Sequence, residues 1–154
     1  MKSCAFFGHR NMYAERYRKR LLQILTDLIE NRGVTQFYSG FRGCFDVYCS
    51  RLVFELKKAY PQIKNTMVLS YIPEAKENFC LPSCFDDSVY LLERYVPKRF
   101  AIVETNKRLV DTVDYVVAGV VRHCGGAYKA CEYAYKQKKS IVSVIDECKI
   151  SNFA

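Results

Sequence analysis

The sequence predicts an α/β fold of the Rossmann-like, doubly wound type, in which a mainly parallel sheet carries helices on both faces. Three observations predict it. Short apolar runs alternate along the chain with segments whose apolar residues recur at helical three–four spacing. The run VDYVVAGVV at 113–121 is apolar over nearly its whole length, as strands buried within parallel sheets are. Glycines follow several of the strand-like runs, just before a helical segment begins.

The first half of the chain begins with a strand predicted at 4–7 (CAFF), which ends at Gly8. A helix follows from Tyr13, with one apolar face, and it ends at the NRG sequence of 31–33. The second strand is predicted at 34–40 (VTQFYSG).

The second predicted helix ends before Pro61, because proline lacks the N–H that a helix interior requires. The third strand is NTMVLSYIP at 65–73. Residues 74–100 have little periodicity and two prolines, so they are predicted to be irregular, and a loop of this length is usually functional or disordered. The fourth strand is the apolar run named above, a helix follows from Ala127, and SIVSVI at 140–145 is the fifth strand.

The length and composition predict a single domain spanning residues 1–154. Half of the 154 residues are hydrophobic, which is enough for one sizeable core. No apolar run approaches the ~18–20 residues needed to cross a membrane, and the N-terminus lacks the layout of a signal peptide. We therefore expect a cytoplasmic protein with no membrane partner.

The eight cysteines are expected to be reduced thiols. Cys4, Cys49, Cys131 and Cys148 fall within apolar patterns, where cysteine behaves as a small hydrophobic residue. The sequence has no C-x-x-C pair, and only two histidines are present to complete a zinc site. We predict neither a metal nor a cofactor.

The formal net charge is +8 and the isoelectric point is about 9.1. The basic residues are spread along predicted helix faces, as in the segments 16–20 and 136–139, which is the usual pattern of a solvated helix. The charge is compatible with any anionic partner, from phosphate to polynucleotide, and does not choose among them.

Three glycine-containing loops are predicted at the carboxyl edge of the sheet. They are GHR (8–10), SGFRGCFD (39–46) and HCGGAYKACE (123–132). Each precedes a helix, so each directs free backbone N–H groups and the positive end of a helix towards one crevice. A turn or a helix cap explains any single glycine better than a ligand does, but three such loops on one edge favour a phosphate-bearing ligand. The chain contains neither the G-x-x-x-x-G-K-[ST] nor the G-x-G-x-x-G motif.

The segments CAFFGHR, FYSGFRGCFD, VLSYIP, VPKRFAI and GGAYKACEYA occur in an order and spacing that resembles the SLOG superfamily. This Rossmann-like group includes the LOG proteins and the DNA-processing protein of bacterial transformation. The likeness extends from residue 4 to about residue 145, and it is nearest to small stand-alone bacterial and phage members.

The resemblance implies a nucleotide-type ligand on the glycine loops. LOG enzymes release the base from nucleoside monophosphates, whereas other SLOG domains bind ADP-ribose-like signal nucleotides, often in anti-phage defence. Relatives are often dimers or larger, so a homodimer or higher oligomer is expected. The residues that the resemblance places at the ligand are Gly8, Arg10, Ser39, Gly40, Gly43, Asp46, Gly125, Gly126 and Ala127.

Two carboxylates have roles that the resemblance leaves open. Asp46 either faces a sugar hydroxyl or caps its own helix. Glu132 falls where LOG enzymes have their catalytic glutamate, and it is the catalytic candidate if the protein is an enzyme.

The chain departs from the LOG pattern at Thr105, which stands where LOG enzymes have an arginine that assists base release. Loss of a positioned cation removes several kcal/mol of transition-state stabilisation. Arg99 and Asn106 remain candidates for ligand contact in this segment. The departure therefore favours a binding protein over a hydrolase.

Three further residues lie next to the glycine loops. His9 follows a strand end, so it either contacts the ligand or bonds a carbonyl in its own turn. Tyr128, directly after GGA, is placed to stack on a base. Cys124 precedes the glycine pair near a helix N-terminus, where a thiol is activated, but packing beneath the loop is its expected role.

The favoured hypothesis is a module that senses or sequesters a nucleotide or an ADP-ribose-derived signal. The second hypothesis is a LOG-like phosphoribohydrolase that uses Glu132. The third is a single-strand nucleic-acid binder, whose affinity would fall steeply with salt because counterion release scales with the phosphates neutralised.

Overall fold

The computed structural model describes residues 1–74 and 78–145. Cys148 and a small part of the segment predicted to be irregular lie outside the described residues. A short 3-10 turn at Ala14–Tyr17 leads into the first α-helix. The elements are β1 Lys2–Gly8, α1 Arg18–Glu30, β2 Val34–Ser39, α2 Cys44–Leu56, β3 Lys64–Leu69, β4 Asp87–Tyr90, α3 Lys98–Thr112, β5 Tyr115–Gly119, α4 Gly126–Lys136 and β6 Ser140–Ser143.

The strands form one six-stranded sheet in the order β4-β3-β2-β1-β5-β6, and every neighbouring pair is parallel. The chain first proceeds outward from β1 to β4 and then returns to the other side of β1 for β5 and β6. The strand order therefore reverses between β1 and β5, which is where ligands bind in open α/β sheets. The predicted α/β Rossmann-like fold is confirmed.

Strand β1 shows how the sequence builds two separate layers. Cys4 and Phe6 pack in the cluster formed with α1 and α2, whereas Ala5 and Phe7 pack in the cluster formed with α3 and α4. Successive side chains of a strand point to opposite faces, so a run of four apolar residues supplies both cores. All four side chains are buried.

The structure differs from the sequence prediction between residues 74 and 100, which were expected to be irregular. Strand β4 pairs with β3 at the edge of the sheet, and α3 begins at Lys98, directly after Pro97. Strand β4 has only four residues, DSVY, and none of them is fully buried. The segment therefore lacks the apolar run from which a strand is predicted.

Polar contacts hold the start of β4 in register. The backbone N–H of Asn65 donates to the Asp86 carboxylate at 2.8 Å, and the Asp86 N–H donates to the Asn65 carbonyl at 2.8 Å. The buried Asn65 amide also donates to the carbonyl oxygens of Ser50 and Cys84, at 3.3 and 3.1 Å. This amide links β3 to α2 and to the segment before β4, so it specifies their relative position without contributing to any apolar pattern.

The cysteines that the structure describes are all free thiols. Cys4, Cys49 and Cys131 are fully buried, and burial raises the pKa of the Cys131 thiol to about 12. Within residues 1–74 and 78–145, no helix combines the length and the apolar character needed to cross a membrane.

The ring of Phe45, near the start of α2, lies against the last residues of both β1 and β5. A Cβ atom added at Gly8 would lie 2.2 Å from the nearest atoms of the Phe45 ring, and one added at Gly119 would lie 2.5 Å from it. Phe45 itself is fully buried. These two glycines therefore let α2 approach the centre of the sheet at the edge where the strands end.

Gly8→Ala and Gly119→Ala are each expected to destabilise the fold by about 1–3 kcal/mol, because an added methyl group overpacks a rigid aromatic contact. Gly40→Ala is the control, since its Cβ would meet only the Arg42 side chain, at 3.6 Å. Urea unfolding followed by circular dichroism measures the difference. If Gly8→Ala were as stable as Gly40→Ala, the Phe45 contact would not be the reason for the glycine.

Candidate functional site

A cavity of about 690 Å³ lies at the carboxyl edge of the sheet, beside the point where the strand order reverses. The loops after β1, β2 and β5 surround it, and one face of α3 closes it. The following sequence-predicted residues line the cavity: Gly8, His9, Arg10, Gly40, Gly43, Asp46, Asn106, Gly125, Gly126 and Ala127. Ser39, Arg99, Tyr128 and Glu132 are not among the described residues that line it.

His9 ties the loop after β1 to the loop after β5. Its Nε2 accepts hydrogen bonds from the backbone N–H groups of Val121 and Arg122, at 3.0 and 3.1 Å. An Nε2 that accepts two hydrogen bonds leaves the ring proton on Nδ1. Burial, and secondarily the Arg122 charge, lowers the pKa of His9, so the neutral ring is favoured. His9 thus acts as an acceptor that positions the third glycine loop.

Gly43 has a structural reason that the sequence did not reveal. A Cβ atom at this position would lie 2.6 Å from the Cα atom of Arg10. The next residue, Cys44, donates its backbone N–H to the Arg10 carbonyl at 2.9 Å. The missing side chain therefore lets the β1 loop pack directly on the N-terminus of α2, and it brings Arg10 to the cavity.

Ser39 shapes the second glycine loop from below. Its Oγ accepts the Phe41 N–H at 3.1 Å and donates to the Asp46 carbonyl at 3.4 Å. Phe41 adopts the left-handed conformation, with φ of 55°, which is uncommon for a bulky residue and needs such support. Ser39 is fully buried, and both of these bonds are made within the protein.

Asp46 and Arg42 form the polar centre of this loop. The Arg42 backbone lies close enough to the Asp46 carboxylate to favour its ionised form. One carboxylate oxygen, Oδ1, is buried and has no hydrogen-bond partner among the described residues. Burial raises the pKa of Asp46 to about 7, although the charges of Arg42 and Arg10 act in the opposite direction. The Arg42 guanidinium is held by a hydrogen bond to the Ser70 hydroxyl.

The glycine pair of the third loop has two different geometries. Gly125 is the N-cap of α4 with φ of 91° and ψ of 174°, a region essentially restricted to glycine. Gly126 is the first helical residue, and a Cβ there would meet nothing within 4 Å. No side chain of the described residues caps α4, so the N–H groups of its first turn face the open side of the loop.

The loop before this glycine pair is held by side-chain contacts. Arg122 donates to the Asn11 side chain at 3.1 Å, which connects the first and third loops across one side of the cavity. The rings of His123 and Tyr128 stack at 5.4 Å. Cys124 is exposed and lines the cavity, whereas the sequence predicted that it would pack beneath the loop.

The cavity is strongly cationic. Arg10, Arg42 and Arg122 line it, and Asp46 is the one acidic side chain among its described lining residues. Arg10 was predicted from the sequence as a ligand residue but Arg42 and Arg122 were not, because the basic residues of the chain were attributed to solvated helix faces. Their signal was position: each lies in a loop between a strand and a helix rather than on a helical face.

Helix α3 supplies the remaining wall, with Ile102, Thr105 and Asn106. Thr105 is 1% exposed, and its hydroxyl has no hydrogen-bond partner in the described part of the chain. Arg99 does not reach the cavity, because its guanidinium lies 4.7 Å from the centre of the Phe100 ring on the exposed start of α3. Position 105 therefore presents a small polar side chain, and Arg99 does not replace the missing cation.

Glu132 lies one and a half turns into α4 and pairs with Lys136 at 3.8 Å. Burial and the neighbouring Glu132 carboxylate raise the pKa of Tyr128. The two side chains thus interact on the flank of α4, while the residues of this helix that line the cavity are Gly126 and Ala127. Among residues 1–74 and 78–145, no group of three His, Cys, Asp or Glu side chains is placed to bind a metal ion.

Comparison with known proteins identifies the fold. No protein-family model and no curated protein sequence matches the chain. Among the solved structures that are similar to the chain, three have sequences 14–15% identical to this one. At this level of identity the similarity establishes the Rossmann-like α/β fold alone.

Two of these structures are of DNA processing protein A. The protein from Streptococcus pneumoniae has a TM-score of 0.64, and the match covers 93% of this chain and 50% of that one. The protein from Helicobacter pylori, solved to study its single-stranded DNA binding mode, has a TM-score of 0.62, with 92% and 64% covered. The third, the structural-genomics target TM1055, has a TM-score of 0.56, with 92% and 72% covered. The chain spans about half the length of the pneumococcal protein.

Gly125→Ala is expected to destabilise the protein by about 1–3 kcal/mol, because a Cβ is strained at this backbone conformation. Gly126→Ala is the matched control, since its Cβ enters open space and alanine favours the helix. Denaturant unfolding of both variants measures the contrast. Equal losses at the two positions would contradict the assignment of the strained conformation to Gly125 alone.

Asp46→Asn is expected to stabilise the protein at pH 8.5 and to have little effect at pH 4. The folded-state pKa of Asp46 is raised above its unfolded value, so its stabilising contribution is present below about pH 4 and is lost as pH rises through about 7. A shift of about three pKa units corresponds to about 4 kcal/mol at most. Urea unfolding at the two pH values tests this, with Asp87→Asn on the exposed edge strand as control. A pH-independent difference would show that the Asp46 proton is not involved.

Proposed function

We propose that the cavity binds a nucleotide or an ADP-ribose-derived ligand through its phosphate groups, and that the protein senses or sequesters this ligand. The observation that carries the proposal is the convergence of three arginines and two helix N-termini on one cavity, whose described lining residues include a single acidic one. Helices α2 and α4 both begin there, and neither has a side-chain cap among the described residues.

The electrostatics favour an anion. Each helix N-terminus carries the equivalent of roughly half a positive charge and presents unpaired N–H donors. The arginines add charge and directional donors that suit phosphate oxygens. Because the Asp46 pKa is about 7, this carboxyl is only partly ionised at neutral pH and offsets only part of that charge.

The rest of the cavity suits a nucleoside. Its volume of about 690 Å³ falls within the ~300–1,000 Å³ typical of small-molecule sites. Val68, Ile102 and Leu109 supply an apolar part of the wall, against which a base or sugar face can pack, and Asn106 supplies a polar edge. A ligand with both phosphate and an aromatic base matches a cavity that has one cationic part and one apolar part.

The hydrolase alternative has weaker support. N-glycosidic cleavage needs a carboxylate at the sugar and a group that stabilises the departing base. Glu132 is engaged with Lys136 on the flank of α4, and Thr105 supplies no cation. Base release from AMP that is abolished by Glu132→Gln would nevertheless decide for the enzyme.

A single-strand nucleic-acid binder is the second candidate, because one of the similar structures was solved for its single-stranded DNA binding mode. The net charge of +8 also fits a polyanion. The two candidates differ in salt dependence. A strand that contacts several phosphates loses affinity with a log–log slope of about −0.7 per phosphate, whereas a mononucleotide has a slope near that of one or two contacts.

A thermal-shift series with AMP, ADP, ADP-ribose, cyclic ADP-ribose and NAD tests the proposal. A ligand at a hundred times its Kd adds about 2.7 kcal/mol of stability. Arg122→Gln is expected to reduce the shift strongly, while Arg51→Gln, on the exposed side of α2, leaves it unchanged. Arg122 is exposed, so its replacement should not unfold the protein.

Titration with a single-stranded oligonucleotide at two salt concentrations completes the test. No stabilisation by any nucleotide, together with steeply salt-dependent oligonucleotide binding, would replace the proposal by the nucleic-acid function. An absence of both would remove the ligand role of the cavity.

A further inference from the structure

We propose that the cavity contains two separate phosphate subsites and therefore selects a ligand whose phosphate groups stand on two different positions of a nucleoside, rather than in one contiguous chain. This inference rests on the proposed function and specifies the class of its ligand. A nucleoside 3′,5′-bisphosphate has this chemistry, and so does a 5′-phosphorylated dinucleotide.

The topology separates the two subsites. Helix α2 begins after β2, and helix α4 begins after β5. These strands lie on opposite sides of β1 in the sheet. Helix α2 packs in the layer on one face of the sheet, and α4 packs in the layer on the other face. The two helix N-termini therefore approach the cavity from opposite faces of the sheet and present separate sets of N–H donors.

The first subsite lies at the start of α2. The Arg42 guanidinium is anchored by Ser70 and lies over Gly40, whose Cβ position would be 3.6 Å from the guanidinium carbon. Arg10 is close enough to influence the charges of both Arg42 and Asp46. The first subsite thus contains two arginine side chains and one carboxyl group, so its side chains carry a net positive charge.

The second subsite lies at the start of α4. The Lys129 N–H is bonded to the Gly125 carbonyl at 3.1 Å, as the first turn of a helix requires. The N–H groups of residues 126–128 precede that bond and are the donors that a helix leaves unpaired. Arg122, fixed by Asn11 at 3.1 Å, adds a cation on the same side.

An independent observation points to a ligand body in the cavity that contains both subsites. Thr105, on α3, lines the cavity, and its hydroxyl is buried and has no partner in the described residues. Helix α3 packs on both β1 and α4, so this wall faces the region between the subsites. A buried hydroxyl without a partner is rare in folded proteins, and a sugar hydroxyl of a bound ligand would supply one.

Isothermal titration with ADP and adenosine 3′,5′-bisphosphate tests the inference. The two compounds have the same base, sugar and number of phosphates and differ in where the second phosphate is attached. We expect the 3′,5′-bisphosphate to bind at least tenfold more tightly. Equal affinities, or tighter binding of ADP, would overturn the two-subsite inference and leave the proposed function intact, whereas binding of neither would count against the proposed function itself.

Variants assign the subsites. AMP has one phosphate, so only one of the two variants, Arg42→Gln or Arg122→Gln, should lower the affinity for AMP. Each variant should lower the affinity for the bisphosphate by about tenfold or more. Arg51→Gln serves as the control on the same helix as the first subsite. If both variants weakened AMP and the bisphosphate by equal factors, a single shared anion site would replace the two. Circular dichroism and Tm verify that Arg42→Gln is folded. If this variant is unfolded, Arg122→Gln alone is used for the test, because Arg122 is exposed.

A 5′-phosphorylated TpT dinucleotide distinguishes the source of the ligand. Binding tighter than that of the free bisphosphate would identify a strand of nucleic acid as the source. Weaker binding would identify a free nucleotide. Both results support two subsites, and no binding of either compound overturns them.

Discussion

The close approach of α2 to the centre of the sheet is the constraint on which the rest of the structure depends. Phe45 lies over Gly8 and Gly119, the last residues of the two strands between which the order reverses. Because this ring is fully buried and rigid, it fixes the start of α2 relative to β1 and β5. The cavity, the arginine positions and the direction of the helix N-terminus all follow from that placement.

The loops around the cavity are built to be rigid before any ligand arrives. His9 accepts two backbone N–H groups of the third loop, and Ser39 supports the left-handed turn at Phe41. Such bonds order loops that would otherwise lose conformational entropy on binding. This loop arrangement also buries the Asp46 carboxyl group, whose pKa is about 7. Buried groups with raised pKa values are common at functional sites.

The sequence predicted the fold class and the three loops because these depend on apolar periodicity and glycine position. It did not predict β4, whose register depends on the Asn65 amide and the Asp86 carboxylate. It also did not identify Arg42 and Arg122, because an arginine in a loop is distinguished from a solvated one only by what surrounds it in three dimensions. His9, Gly43 and Ser39 were predicted at the ligand, but the structure shows contacts that organise the loops, and their contact with a ligand stays a prediction.

The described glycines separate into those that folding explains and two, Gly40 and Gly126, that it does not. Gly8, Gly43 and Gly119 admit a neighbouring group, and Gly125 adopts a backbone conformation reserved for glycine. Gly126 does neither: its Cβ would meet open space and its φ is not left-handed. At the first position of a helix, alanine would be more favourable by up to about 1 kcal/mol. Glycine at this position therefore makes the folded protein less stable than alanine would, and no packing contact requires it. The phosphate proposed at the α4 N-terminus would account for this glycine, since that phosphate needs the space that a Cβ would occupy.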